Sequence, residues 1–253
     1  MAKFAVTHPG KIGDTLFALH VARSVSESRG CEPVDFYTSS YCTPLKRLFE
    51  YQDHIEELIV PDGYVIERMD MGVQPWRMTV PNKYETVYHL GFRKVPNTTL
   101  HFFMADSIGI QRPEIFYKYP EDFPAPEEPY MIVAPRGETT FKGLFYDVIA
   151  KSPIKTVQIG GKWEFIGGGE KTIDMTGTDF LETATLLAHA TAFVGLMSSQ
   201  LVLANGFDIP KVAPHDGRSW DMTHVAYSPT NFYPVNPTAE QVIEIAMSRS
   251  EEG

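Results

Sequence analysis

Short apolar runs alternate along this chain with stretches in which apolar residues recur every three or four positions. Phe4-Ala5-Val6 predicts a strand, and Leu16, Leu19 and Ala22, with Phe17 and Val21, predict the helix after it. Val34–Thr38 predicts a second strand, 44–51 a helix, 57–60 a third strand, 85–90 a fourth and 101–108 another helix. Between Pro120 and Pro129 four prolines fall within ten residues, which no helix interior or central strand accepts. The alternation then restarts. Strands are expected at 130–134, 155–159, 192–196 and 210–213, and helices at 142–151, 179–190, from near Ser198 to near Gly206, and at 238–248. Asp179 and Glu182 stand at capping-box spacing. Repeated strand–helix alternation implies parallel sheets covered by helices. The expected organisation is two Rossmann-like α/β domains, 1–122 and 130–253, facing each other across a cleft. The closing helix has the option of crossing back onto the first domain.

Composition narrows the function classes. The chain has 253 residues, 43% of them hydrophobic and 21% charged, enough for two cores without disordered tracts. A net charge of −10 disfavours general nucleic-acid binding, which depends on Lys and Arg neutralising phosphates. The two cysteines, Cys31 and Cys42, form no metal-site pattern, and scattered His, Asp and Glu show no ligand spacing, so no catalytic metal is expected. No eighteen-residue apolar run exists, and the opening Met1-Ala2-Lys3-Phe4 lacks a signal-peptide pattern, so a cytoplasmic location is expected.

Three constellations carry candidate chemistry. The first is Gly10-Lys11-Ile12-Gly13-Asp14-Thr15, between the first strand and its helix. It is neither a dinucleotide fingerprint nor a Walker loop, yet its glycines let backbone approach a ligand. Asp14 is either a helix N-cap or a carboxylate available for proton transfer. His8 lies nearby in sequence, either facing an acceptor or serving structure. The second is Pro135-Arg136-Gly137-Glu138-Thr139-Thr140-Phe141-Lys142, where two cations and two hydroxyls occupy a strand-to-helix loop. It is either a solvated loop or a diphosphate cradle. The third runs from Asp174-Met175-Thr176-Gly177-Thr178-Asp179 through a helix to Gly195-Leu196-Met197-Ser198-Ser199-Gln200. Ser198 is either a simple N-cap or part of a phosphate-binding helix start. Trp163, after Gly160-Gly161-Lys162, is either an incidental turn aromatic or a surface for a nucleobase; His215-Asp216-Gly217-Arg218 is a weaker candidate.

Lys11-Ile12-Gly13-Asp14-Thr15-Leu16-Phe17-Ala18-Leu19, with Ala22-Arg23, resembles the opening of glycosyltransferase family 9, which contains the lipopolysaccharide heptosyltransferases. The resemblance follows element order along nearly the whole chain. It includes the Gly-Thr turn at Gly177-Thr178 and a helix ending in the Gly-Ile turn at Gly109-Ile110. It implies a GT-B-like fold and an enzyme that moves a sugar from a nucleotide diphosphate-sugar to a hydroxyl, with inversion and without a cofactor. It makes Asp14 the general base. Donor contacts are then expected at Arg136, Thr139, Thr140 and Lys142 from the second constellation, Arg136 on charge alone. Further donor contacts are expected at Gly160, Gly177, Ser198, Ser199 and Gln200. His8, Lys11 and Gly13 fall on the acceptor side. The acceptor is left open among a glycan, a lipid-linked sugar and a modified nucleobase. The sequence departs from the family where Met197 replaces an aspartate, Ser199 a glycine and Val202 a histidine. Two other functions fit the same architecture: a nucleotide-sugar epimerase and a non-catalytic sugar-nucleotide-binding protein.

Overall fold

The computed structural model describes residues 2–61, 77–92, 98–136, 141–217 and 230–248. The chain divides into two compact units, with the change at Lys118/Tyr119.

In the first unit, β1 (Phe4–His8) leads into α1 (Ile12–Ser28), followed by β2 (Val34–Thr38). A 3-10 turn (Ser40–Leu45) and the short α2 (Lys46–Glu50) come next, then β3 (Ile55–Ile59), β4 (Thr86–His89) and α3 (Leu100–Ser107). The helix expected over 44–51 is therefore split. Pro44 lies inside the 3-10 turn, where its missing N–H removes an α-type hydrogen bond. The four strands are parallel in the order β3-β2-β1-β4. β1 and β2 are buried at every residue, as expected of strands covered on both faces. Phe36 of β2 meets the edge of the Phe49 ring from α2 at 4.9 Å. α1 is buried continuously from Thr15 to Ala22, the signature of a helix packed on more than one side. The Gly-Ile turn after α3 forms as expected. Gly109 takes a left-handed φ of 69°, and Ile110 N–H and Gly109 N–H reach back to the carbonyls of Ala105 and Asp106.

The second unit contains β5 (Tyr130–Ala134), α4 (Lys142–Lys151), β6 (Lys155–Gln158), β7 (Thr172–Asp174) and α5 (Phe180–Ala188). It continues with β8 (Ala192–Gly195), α6 (Ser199–Ala204), β9 (Lys211–Val212), β10 (Asn231–Phe232) and α7 (Ala239–Met247). All strand pairs are parallel, in the order β10-β9-β8-β5-β6-β7. The capping box at Asp179 and Glu182 is present. α7 buries Ala239, Val242 and Ala246 in a cluster with Met131 and Val133 of β5, Val194 of β8 and Val148 of α4. The closing helix thus packs on its own unit rather than crossing back, because its single apolar stripe is consumed by this sheet. Both cysteines are free thiols, Cys31 exposed and Cys42 buried. Among the described residues, no helix is long and apolar enough to cross a membrane.

Candidate functional site

In a parallel sheet, loops after neighbouring strands leave toward opposite faces only where the strand order reverses direction. A crevice opens there, beyond the carboxyl ends of the two strands. In the first unit this point lies between β1 and β4, because β2 and β3 extend to one side of β1 and β4 to the other. In the second unit it lies between β5 and β8, with β6 and β7 on one side and β9 and β10 on the other. The helix turn carrying Asp14 follows β1, the loop carrying Arg136 follows β5, and Ser198 follows β8.

The β1 loop is built from beneath. His8 is fully buried, and its Nδ1 lies 3.2 Å from the Leu90 carbonyl oxygen. A carbonyl only accepts, so Nδ1 carries the proton and Nε2 is the bare nitrogen. Burial pushes the His8 pKa down to about 4, which keeps the ring neutral. Thr7 Oγ1 makes a parallel contact with His89 Nδ1 at 2.8 Å, so two side-chain links join β1 and β4 at the switch point. Gly10 covers the imidazole: a Cβ there would collide with His8 Nε2 and approach Asp14 Cβ at 3.1 Å. The buried Cys42 thiol donates to the Gly10 carbonyl at 3.3 Å and meets Thr15 Oγ1 at 3.2 Å, and Thr38 Oγ1 donates to the His8 carbonyl at 2.9 Å. His8 therefore supports the loop from inside the unit and presents no face to solvent.

Asp14 stands in the first turn of α1, at its third residue, and is partly exposed. The N-cap is Lys11, with no side-chain capping bond, so the N-cap reading of Asp14 is corrected. The helix starts three residues before that reading requires, at Ile12 rather than Thr15. A carboxylate in this turn is favoured by the positive end of the helix dipole. Lys11 is exposed and Gly13 partly exposed beside it.

In the second unit, β5 ends at a buried Ala134, and Pro135 turns the chain so that Arg136 is exposed. Thr139 and Thr140 lie outside the described residues. Lys142 opens α4, and its side chain lies outside what is described. After β6, Gly160 adopts a φ of 136°, and its carbonyl accepts the Gly177 N–H at 2.9 Å. Gly177 has a φ of 86°, and a Cβ on it would press on the Lys162 side chain at 3.3 Å. Two expected donor-contact glycines are thus bonded to each other at one edge of the sheet. After β8, Leu196 N–H bonds the Ala134 carbonyl at 3.2 Å, which places the Met197–Gln200 segment beside the β5 loop. Ser198 is the N-cap of α6, but its Oγ is buried and makes no hydrogen bond, so the simple side-chain cap is not formed. Ser199 Oγ and Gln200 Oε1 are 3.2 Å apart. Val202, at the family's histidine position, is 3% exposed in the core, where only an apolar side chain fits without a partner.

His215 is committed locally. Its Nε2 meets the Tyr233 carbonyl at 3.2 Å and its Nδ1 accepts the Gly217 N–H at 3.2 Å. Arg218 lies outside the described residues. Sequence reasoning missed Cys42, His89 and Leu90 as the supports of the β1 loop. Their link to it is cross-strand, and only the strand order reveals it. Among the described residues, no three His, Cys, Asp or Glu side chains converge as metal ligands.

The sequence matches no family description, and no curated protein matches it. Solved structures do match. A family 9 glycosyl transferase from Veillonella parvula superposes with a TM-score of 0.74 at 11% identity, covering 99% of this chain and 97% of that one. The fold is the one these glycosyltransferases share. Escherichia coli ADP-heptose lipopolysaccharide heptosyltransferase II gives a TM-score of 0.69 at 15% identity, covering 99% and 100%. The iron-containing dodecameric glycosyltransferase TibC from enterotoxigenic E. coli gives 0.64 at 18% identity, covering 92% of this chain and 63% of that one. The GT-B-like architecture expected from the resemblance is therefore found, with a parallel sheet in each unit.

Proposed function

We propose that this chain is a glycosyltransferase that moves a sugar from a nucleotide diphosphate donor to a hydroxyl acceptor, with inversion at the anomeric carbon. The observation that carries this is the placement of the candidate residues. Asp14 follows the first strand at one switch point, and Arg136 and Ser198 follow the two strands that flank the other. A fold shared with glycosyltransferases supports it.

In the proposed step the acceptor oxygen attacks the anomeric carbon. Its proton passes to the Asp14 carboxylate, while the bond from that carbon to the phosphate oxygen breaks. The nucleoside diphosphate leaves with the bonding electron pair. Arg136, the Lys142 ammonium and backbone amides near Ser198 and Ser199 stabilise the negative charge that develops. One displacement inverts the configuration. We propose that these cations, rather than a metal, neutralise the diphosphate, so turnover survives a chelator. ADP-heptose is the first donor to try, since the E. coli neighbour is named for it.

The test is product analysis with a donor and a panel of glycan, lipid-linked sugar and nucleobase acceptors. Asp14→Asn is expected to lower kcat by about 10²- to 10⁴-fold while nucleotide affinity holds. Unchanged turnover in that variant overturns the role of Asp14. The binding-protein reading is favoured by Met197 and the buried Val202, which leave two family polar positions apolar. Nucleotide affinity with no turnover on any acceptor supports that reading instead. Conversion of donor without any acceptor supports an epimerase.

A further inference from the structure

Trp163 is 87% exposed, although an indole is among the side chains that gain most from burial. The turn that presents it is fixed. Gln158, fully buried at the end of β6, donates to the Gly167 carbonyl at 2.6 Å and accepts the Ile166 N–H at 3.0 Å. These two bonds tie down the far side of the loop. Closer in, Gly161 N–H donates to Glu164 Oε2 at 2.7 Å, bracketing Lys162 and Trp163. From below, the Gly160–Gly177 bond anchors the start of the loop, and the Lys162 stem rests on Gly177. An aromatic on a rigid turn loses little conformational freedom when a ligand stacks on it.

Position gives the ligand its chemistry. In a doubly wound sheet, phosphates sit at the loop after the first strand, and the nucleoside extends over the next strand outward. Here the first strand is β5, with Arg136, and the next strand outward is β6, with Trp163. We propose that Trp163 is the platform on which the nucleobase of the donor stacks, and that its bicyclic face selects a purine over a pyrimidine nucleoside diphosphate. This rests on the nucleotide-diphosphate reading above. Stacking on an aromatic tolerates any base, and the preference follows the area of overlap.

The experiment is calorimetric titration of the full chain with ADP, GDP, UDP, CDP and inorganic pyrophosphate, for wild type, Trp163→Ala and Trp163→Phe. The substituted side chain is solvated, so the variants should melt with the wild type. Trp163→Ala is expected to weaken ADP binding about 5- to 150-fold. The loss is expected to be smaller for UDP and CDP and absent for pyrophosphate, and Trp163→Phe is expected to recover part of the affinity. ADP binding unchanged in Trp163→Ala overturns the platform and leaves the nucleotide reading standing. Equal losses for ADP and pyrophosphate overturn it as well, since the effect would then lie in the diphosphate site. A wild type that binds no nucleoside diphosphate defeats the underlying reading and the platform with it.

Discussion

Gly10 and Asp14 show how much one backbone position governs here. The space where a Cβ would stand on Gly10 is taken by the edge of the His8 ring, which is itself pinned to the Leu90 carbonyl. Gly10→Ala must therefore move the imidazole or the loop. It is expected to destabilise the chain by about 1–3 kcal/mol, as overpacking does, and to lower Tm by several degrees, measured by differential scanning calorimetry. It should also lower turnover, since that loop leads directly into the first turn of α1, where Asp14 stands. An unchanged melting temperature would mean that the loop relaxes freely. At this scale the sequence showed which residue types the loop holds but not their roles. Asp14 has the composition of an N-cap, yet α1 begins at Ile12 and leaves it inside the first turn. His8 has the composition of a site residue, yet it is sealed beneath Gly10.

The elements of the first unit share an unusual load of buried imidazole. His8 on β1, His20 on α1 and His101 on α3 are fully buried, and His54 ahead of β3 bonds the Leu19 carbonyl at 3.2 Å. Burial holds His8 and His54 down to about 4 and His101 to about 3; it also lowers His20, helped by the charges of His101, Arg23 and His54. The His20 ring stands edge-on to Tyr117 at 4.6 Å, and neither of its nitrogens is hydrogen-bonded. The folded pKa values lie below the unfolded value near 6.5, so the unfolded chain takes up protons first as pH falls. Stability is complete above about pH 6.5 and declines toward pH 4, with a slope of up to about 1.4 kcal/mol per pH unit for each histidine. Denaturant midpoints measured from pH 7.5 to 4.5 are expected to fall steeply below 6.5, and less steeply in His20→Phe. A flat profile would contradict the burial. Element boundaries were legible in sequence where local chemistry fixes them, as at Asp179 and Glu182 or Gly109 and Ile110. They were illegible where pairing decides. β7 and β10 are three and two residues long, and only their neighbours make them strands.

Across the whole molecule, charge is divided unevenly. Through Lys118 there are 13 Lys and Arg against 14 Asp and Glu, and after it 9 against 18. The half assigned to the anionic donor is thus the acidic half, and anion binding there must come from local groups rather than from the overall field. Arg136 is an exposed cation at the second switch point. The doubled α/β pattern and the proline run made the two-sheet architecture legible in sequence. The switch points were not, because strand order is a property of pairing between segments far apart in the chain.

The proposed function requires a nucleoside diphosphate held at the β5 and β8 loops. Its most direct test is calorimetric titration of wild type and Arg136→Ala with ADP-heptose and a panel of nucleotide sugars. Saturable binding of at least one member is expected, weakened about tenfold or more when the charged hydrogen bond is removed. Absence of binding across the panel by folded protein, or affinity indifferent to Arg136, would contradict it.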